Sequence, residues 1–320
     1  MNAIFAYNDE SKENSVLAQN SSIFGVSYEL LYLDEEGSIR FKTIDPIGSF
    51  PIYDNTIEEE LLYFIRAYEN RDIETQNITT YVEVYTRNSI LYYEKTIGAL
   101  TLINEVPHNF GLVPVAIYYN NAQELGDFET VLSEIDAYDK MESDSLNETE
   151  YFNDCYLALY GLEGTDSEDI RSMKENRVLL MPSDAKAEWL TKSINDTYLE
   201  NEKTRLDRNI HKFSYCPPMT DEDFSSNASG VAMKYKLMGL ENATAKKESS
   251  FKVGLQRRLE LICNILAVFG TSYDYREVQI MFTRNIPVNI VEMADVISKV
   301  GHLYSEKTQM AMLPIEVDYA

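Results

Sequence analysis

The chain has 320 residues, of which 44% are hydrophobic and 12% aromatic, enough for a folded core and more than one substructure. Its 53 acidic residues against 28 lysines and arginines give a net charge of −25, which argues against a protein that grips nucleic acid through its phosphates. The sequence contains no run of about 18 apolar residues, so we expect no membrane span, and the N-terminus lacks the pattern of a signal peptide.

Residues 1 to about 21 predict a polar helix, after which segments rich in β-branched and aromatic residues extend to about Tyr119. Turn signals such as Asp34-Glu35-Glu36-Gly37 separate these segments. We expect an antiparallel β region with hairpins. Its predicted strands are Ser27–Tyr32, Ile39–Thr43, Phe50–Tyr53, Leu61–Tyr68, Thr79–Thr86, Ile90–Glu94 and Val115–Tyr119.

A long acidic helix is predicted from Asp127 to about Leu159, with one face kept apolar by residues such as Ile135, Tyr138, Phe152 and Tyr156. At about 1.5 Å per residue it would be roughly 50 Å long. Its centre is polar nearly all round, which is unusual for a core helix. Two interpretations stay open: a solvated helix between two packed ends, or a helix that packs beside copies of itself and turns one face to a water-filled lumen.

The next segment, 161–193, begins at a glycine-containing break and holds a short apolar strand at 176–182 and the single tryptophan, Trp189. A second helix follows from Asn195, with its apolar stripe at Leu199, Lys203, Leu206, Ile210 and Phe213. Pro217 and Pro218 end this helix, and a mostly polar loop with three consecutive acids comes next.

A long basic helix is predicted from Ser229 to Phe269. Its bases suggest either pairing with acidic neighbours, in the same subunit or across an interface, or a plain solvated face, and we weigh the two equally. Beyond it we expect a strand at 277–283, a short helix at Asn289–Val300 and the start of another helix near Ser305.

The residues give little sign of enzyme chemistry. Cys155, Cys216 and Cys263 are an odd number without a C-x-x-C pair, which is typical of free thiols, and His211 with Cys216 offers too few ligands for zinc. The common nucleotide-binding, zinc-protease and hydrolase motifs do not occur. We therefore expect no enzyme, no metal and no cofactor.

One stretch resembles a known family closely. The residues PPMTDEDFSSNASGVAMKYKLMGLENATAKKESSFKVGLQRRLELI, positions 217–262, are similar to the core signature of bacteriophage portal proteins of the SPP1-like family. Further segments resemble the family in the same order, from SSIFGVSYELLYLDEEGSIRFKTIDPIGSFPIYDNT through EIDAYDKMESDSLNETEYF to FTRNIPVNIVEMADVI and SEKTQMAMLP.

The resemblance implies an α+β portal fold with a β-rich wing, two long stem helices, a small clip, a tunnel loop and a long wing helix. The parts would be a wing at 1–126, stem helix 1 at 127–160, a clip at 161–194, stem helix 2 at 195–216, a tunnel loop at 217–228, a long wing helix and strand at 229–288, and the start of the crown at 289–320.

The same resemblance implies site residues. The tunnel loop would present Asp221, Glu222, Asp223, Ser225, Ser226 and Asn227 to DNA; the channel-lining stem would carry Glu134, Asp139, Glu142, Asp144 and Glu148; and the clip would offer partners Glu163, Asp166, Glu168, Arg171, Lys174 and Trp189.

Family function follows as an expectation. A homo-oligomeric ring, of twelve subunits in the family, would sit at a capsid vertex and pass double-stranded DNA during packaging and ejection. Its expected partners are the terminase large subunit, a head-completion or adaptor protein, and capsid and scaffolding proteins, but no membrane. It would be found in the virion, and in the host cytoplasm during assembly. The negative charge suits this role, because a basic channel wall would hold a moving duplex.

Two departures from the family pattern stand beside the resemblance. Members usually carry about a hundred further residues before the point where this chain starts, and a longer crown at the C-terminus, so the chain resembles the central part only. We therefore keep an alternative from another class: a monomeric structural or interaction protein, such as that of a defective prophage, without channel activity.

Overall fold

The computed structural model describes residues 2–284 except 75, 97, 154–155, 161–165, 177–185, 191–195 and 220–229, together with 295, 297–299, 301–303 and 305. The chain divides into two compact units. We call Met1–Thr130 with Ser214–Ala320 the discontinuous unit, and Val131–Phe213 the inserted unit. The protein is of the α+β class, as predicted.

The discontinuous unit begins with helices α1 (Asn2–Tyr7) and α2 (Glu10–Phe24). Eight strands follow: β1 (Val26–Leu33), β2 (Ile39–Ile44), β3 (Ser49–Tyr53), β4 (Leu61–Arg71), β5 (Ile78–Tyr85), β6 (Ser89–Thr96), β7 (Ala99–Pro107) and β8 (Val115–Tyr119). One sheet has the order β2-β1-β8 and the other is a meander, β3-β4-β5-β6-β7, with every pairing antiparallel. All seven predicted strands in this region are confirmed; β7 was not predicted.

The two faces of the three-stranded sheet pack against different partners, because side chains alternate along a strand. One face carries Leu31, Phe41 and Tyr118, which cluster with Leu17 of α2 and with the long C-terminal helix. The opposite face carries Tyr28, Val115 and Ile117, which cluster with Phe64 and Tyr85 of the five-stranded sheet. The core therefore has three layers: helices, a three-stranded sheet and a five-stranded sheet.

The inserted unit contains α3 (Leu132–Asn153), β9 (Tyr156–Tyr160), α4 (Ser167–Asn176), β10 (Lys186–Leu190) and α5 (Asp196–Phe213), and a 3-10 turn at Glu129–Val131 leads into α3. Strands β9 and β10 pair antiparallel. The second predicted helix is confirmed by α5.

The predicted first stem helix, 127–160, is too long. Helix α3 ends at Asn153, and at about 1.5 Å per residue its 22 residues span roughly 33 Å. The sequence Tyr-Leu-Ala-Leu-Tyr at 156–160 is a continuous apolar run, which suits a strand as well as a helix, and pairing with the distant β10 decides for the strand. Helix α4 and β10 were not predicted, and residues 177–182 of the predicted strand at 176–182 lie outside the described residues.

The long predicted helix is confirmed as α6 (Gly230–Val268), 39 residues long. The strand predicted at 277–283 is absent: a 3-10 turn covers Tyr275–Glu277, and residues 278–284 belong to neither helix nor strand. A strand needs a partner, and this segment has none among the described residues. The helices expected after 289 lie almost wholly outside the described part of the chain.

Candidate functional site

Helices α3 and α5 pack against each other and form the frame of the candidate site. Partly buried residues recur every three or four positions on each helix, which aligns them on one face. On α3 they include Ile135, Tyr138, Met141 and Ser145; on α5 they include Leu199, Lys203, Leu206 and Ile210. The predicted stripe of α5 is thus confirmed apart from Phe213, which is 46% exposed.

The outer face of α3 is acidic. The helix carries seven acids and a single lysine, whereas α5 carries four acids and four lysines or arginines. Asp139 and Asp144, both predicted site residues, are exposed, and so is Asp136. Glu134 is partly buried and accepts a hydrogen bond from Ser133 Oγ at 2.8 Å, while Glu148 also belongs to α3.

Glu142 differs from its neighbours because it has a partner in the same unit. Lys203 Nζ of α5 lies 3.1 Å from Glu142 Oε1, and the lysine side chain is only 14% exposed. Such a partly exposed pair is worth about 0.5–1 kcal/mol, so its main effect is to fix how α5 lies on α3. The described residues give Asp139 and Asp144 no ion pair, which leaves their charge to the solvent.

The predicted clip residues lie on and beside α4 and on β10. Asp166 caps α4, because its Oδ1 accepts hydrogen bonds from the backbone N–H groups of Glu168 and Asp169, both at 2.9 Å. Arg171 is exposed and pairs with Glu175 at 2.9 Å. Lys174 lies on α4 and Trp189 on β10.

Several predicted site residues cannot be placed. Glu163 and the six tunnel-loop residues, Asp221, Glu222, Asp223, Ser225, Ser226 and Asn227, lie outside the described residues. Of the predicted site residues, the structure brings together the acids of α3.

The segment that leads out of β8 toward α3 is fixed to α6 and α2. Lys247 Nζ lies 2.7 Å from Asp127 Oδ2, and Asn120 Nδ2 donates to Asp127 Oδ1 at 2.7 Å. Partial burial would raise the pKa of the Asp127 carboxyl, but Lys247 and Asn120 hold that pKa below its usual value. Gly126 lies so close to α2 that an added Cβ would approach the carbonyl oxygen of Ile23 to 2.7 Å.

A buried ion pair joins α6 to the three-stranded sheet. Arg258 is 1% exposed and Glu29 of β1 is fully buried; Arg258 Nε and Nη2 donate to the two carboxylate oxygens at 2.7 and 2.8 Å. Tyr118 donates its hydroxyl to the same carboxylate at 2.8 Å, and Arg258 also donates to Asn14 Oδ1 at 2.8 Å. Burial raises the pKa of the Glu29 carboxyl, and Arg258 and Tyr118 oppose that rise.

These contacts answer part of the question left open for the basic helix. Lys247 and Arg258 pair with acids of the same chain, while Lys234, Lys246 and Lys252 are exposed. Within the described residues, no helix is long and apolar enough to cross a membrane. No group of three or more His, Cys, Asp or Glu side chains in that part of the chain could hold a metal ion.

Comparison with known proteins decides the family. The profile of the family described as "Phage portal protein, SPP1 Gp6-like" matches residues 1–318. The chain belongs to this family of phage portal proteins. The resemblance identified in the sequence is therefore confirmed, and the family is one of structural phage proteins rather than enzymes.

Two curated portal proteins are similar over most of this chain. That of Clostridium phage phiCD119 is 26% identical over 315 residues, which cover 91% of this chain and 68% of the relative. That of Bacillus phage SPP1 is 23% identical over an alignment of 325 positions, which covers 94% of this chain and 63% of the relative. The chain thus spans about two thirds of the length of these relatives. Among solved structures, an HK97 family phage portal protein from Corynebacterium diphtheriae is 11% identical with a TM-score of 0.30, covering 74% of this chain and 70% of that one.

Sequence reasoning about this portal-family chain missed the buried pair of Arg258 and Glu29. Arg258 lies four residues after Gly254 and four before Ile262, both on the buried face of α6. That spacing was the available signal. Its partner could not be found in the same way, because Glu29 is 229 positions away in the sequence.

Proposed function

We propose that this chain is a subunit of a portal ring, which forms the channel at a phage capsid vertex through which double-stranded DNA is packaged and ejected. The observation that carries the proposal is the acidic outer face of α3, held on α5 by the pair of Glu142 and Lys203. Membership of the portal family supplies the context in which such a face has a use.

The physical reason concerns how DNA moves. Each lysine or arginine that neutralises a phosphate releases counterions and adds affinity, so a basic wall would hold the duplex. Acids such as Asp139 and Asp144 add no such affinity. A helix that exposes them to solvent is therefore suited to line a passage in which the duplex has to slide.

The remaining parts follow from the family. In this proposal the discontinuous unit forms the wing and the base of the crown, α3 and α5 form the stem, and the segment between them forms the clip. The clip would present residues such as Arg171 and Trp189 to the terminase large subunit and later to a head-completion or adaptor protein. The loop at 217–228 would be the tunnel loop that faces DNA, and the wing would contact capsid and scaffolding proteins.

The first test is the native mass of the purified chain together with negative-stain images. Rings with a central hole support the proposal and give the subunit number. A monomer at every concentration would withdraw the claim that this chain alone forms a channel, and would favour the alternative of a structural interaction protein.

The second test addresses the acidic face. Asp139→Lys together with Asp144→Lys should slow DNA packaging several-fold without unfolding the subunit, and the defect should shrink as salt rises, because the added phosphate contacts are screened. The matched control is Glu35→Lys with Glu36→Lys, the same change of charge at an exposed turn of the discontinuous unit. Equal packaging by both double variants would contradict the assignment of α3 to the channel wall.

A further inference from the structure

The edges of the sheets in the discontinuous unit are protected to different degrees. An exposed edge strand presents unpaired N–H and C=O groups to other chains, and proteins usually block it. On β2 the Asn8 side chain does so, donating to the carbonyl of Ile39 and accepting from the N–H of Phe41, both at 3.0 Å. Glu13 accepts from the N–H of Thr43 at 2.9 Å. Three backbone groups of this edge are therefore occupied by helix side chains.

Two other edge strands are short or covered. Strand β3 has five residues and contains Pro51, which lacks an N–H group for pairing. Strand β8 has four buried residues of five and lies under α6. Neither offers a long open edge.

Strand β7 has weaker protection, because its proline, Pro107, is only the last residue and a single bulge at Ile103 interrupts its pairing with β6. It is nine residues long, and every one of them is exposed. Within the described residues its hydrogen bonds go to β6 and to its own side chains. The strand is also apolar, with Leu100, Leu102, Ile103 and Val106 each at least 40% exposed.

A second segment of the same unit, residues 278–283, has the residue pattern of a strand but belongs to no sheet among the described residues. In residues 278–283, Val278, Ile280 and Phe282 alternate with Gln279, Met281 and Thr283, the period of a strand. Val278 has extended backbone angles (φ −79°, ψ 119°). With the described residues, the segment makes one backbone hydrogen bond, from the N–H of Val278 to the carbonyl of Tyr275.

The segment is held against its own helix rather than free. Arg284, at its end, forms ion pairs with Glu241 and Glu248 of α6. Met281 is nevertheless 81% exposed. An anchored, exposed segment loses less conformational freedom on pairing than a mobile one, so it is suited to act as the donor in strand addition.

We propose that residues 278–283 of one copy add as a sixth strand to the outer edge of β7 in the neighbouring copy. The new ladder would satisfy backbone groups on both sides and bring the apolar side chains of the two segments together. This inference rests on the proposed ring. Donor and acceptor are different surfaces of the same chain, so each copy uses both, and such a head-to-tail contact closes into a ring when the rotation allows.

The direct test is disulfide cross-linking between two differently tagged full-length copies, in a background where the exposed Cys216 is serine. One copy carries Leu100→Cys or Leu102→Cys, and the other carries Ile280→Cys or Phe282→Cys. We expect a mixed disulfide dimer for at least one combination. Ile52→Cys on β3, the opposite edge of the same sheet, is the matched control and should give none. Absence of a mixed dimer in all four combinations, at concentrations up to those that give rings, overturns the proposal.

A proline scan adds a readout that a general surface contact would not give. Alternate N–H groups of a paired strand point toward its neighbour. Single prolines at Gln279, Ile280, Met281 and Phe282 should therefore abolish assembly at alternate positions only, with unchanged melting of the subunit. Loss at none, or equal loss at all four, contradicts strand addition.

The outcomes also separate this inference from the ring itself. If rings form without cross-linking and tolerate every proline, the proposed channel stands and the contact between β7 and residues 278–283 is contradicted. If the copies cross-link into open assemblies but form no closed rings, the contact is supported and the proposed channel is contradicted. Proline variants that form normal rings but fail to enter capsids would make a capsid protein the partner of residues 278–283, which overturns the proposal of a second copy.

Discussion

Replacing Arg258 with methionine tests the buried ion pair most directly. Methionine keeps most of the apolar volume but cannot donate a hydrogen bond. Glu29 would be left fully buried with only the Tyr118 hydroxyl as a partner, and Asn14 would lose its donor. Removing one member of such a pair costs about 3–5 kcal/mol, and we expect a loss of about 4 kcal/mol at pH 7.

The loss of stability should depend on pH, and the ionisation of Glu29 determines the direction of that dependence. Without Arg258 the folded protein would keep this carboxyl protonated, so its folded pKa would lie above the unfolded value of about 4.3. The protonated carboxyl is then tolerated at low pH. Stability falls by about 1.4 kcal/mol for each pH unit above the unfolded pKa until the folded pKa is passed. The variant should therefore lose less at pH 5 than at pH 7.

The assay is urea unfolding of the full chain followed by circular dichroism at both pH values. Arg257→Met is the control, because Arg257 is partly exposed and pairs with Glu260 on the same helix; it should cost about 1 kcal/mol or less. Adding Glu29→Gln to Arg258→Met replaces the buried acid that has lost its base with a neutral amide and should restore at least about 2 kcal/mol. An Arg258→Met variant within about 1 kcal/mol of the parent at both pH values would refute the reasoning.

Three further variants probe packing and edges by thermal melting of the full chain. Gly254→Ala should cost about 1–2 kcal/mol, because the added Cβ would lie 2.4 Å from Tyr118 Cδ1. Gly239→Ala should instead stabilise α6 by up to about 1 kcal/mol, because its Cβ would lie 3.4 Å from the nearest atom, Tyr215 Cδ1. Equal effects of the two variants would contradict this packing. Glu13→Gln should cost about 1 kcal/mol of stability at pH 7 and less at pH 3. Burial alone would raise the pKa of the Glu13 carboxyl, but its hydrogen-bond partners hold that pKa below its usual value. The stability that the ionised carboxylate contributes is therefore lost as pH falls through that pKa. A cost independent of pH would contradict that role. Asn8→Ala should cost about 1–2 kcal/mol by leaving two backbone groups of β2 unpaired, and an unchanged melting temperature would show that the edge needs no such protection.

Local patterns were enough to predict much of this fold. Helix α5 has strong apolar periodicity, and the first strands are separated by clear turn signals, so their existence follows from short stretches of sequence. Strand β7 was missed because it follows Gly98 closely and has no buried face, which removes the usual alternation. The end of α3 was misplaced because residues 156–160 suit both a helix and a strand, and a partner outside the local window decides.

The candidate site was less predictable than the fold. Asp139 and Asp144 could be identified as exposed acids, but the pairing of Glu142 with Lys203 depends on how two helices far apart in sequence pack. The strand predicted at 277–283 is a case in which the sequence pattern predicts an element that the structure does not contain. Its residues have the pattern of a strand, but within the described residues they pair with no other strand, so a local pattern alone does not decide whether a strand forms.

The buried pair also sets the order of events during synthesis. The core around Leu31 and Phe41 is completed by α6, and Glu29 waits 229 positions for Arg258. At about 5–20 residues per second, the ribosome needs roughly 10–45 s to make that stretch. The inserted unit is synthesised in the meantime, whereas the helical layer that covers the sheet bearing Glu29 stays incomplete until α6 is made. The speed of translation therefore determines how long the apolar side of that sheet stays open to chaperones and to neighbouring nascent chains.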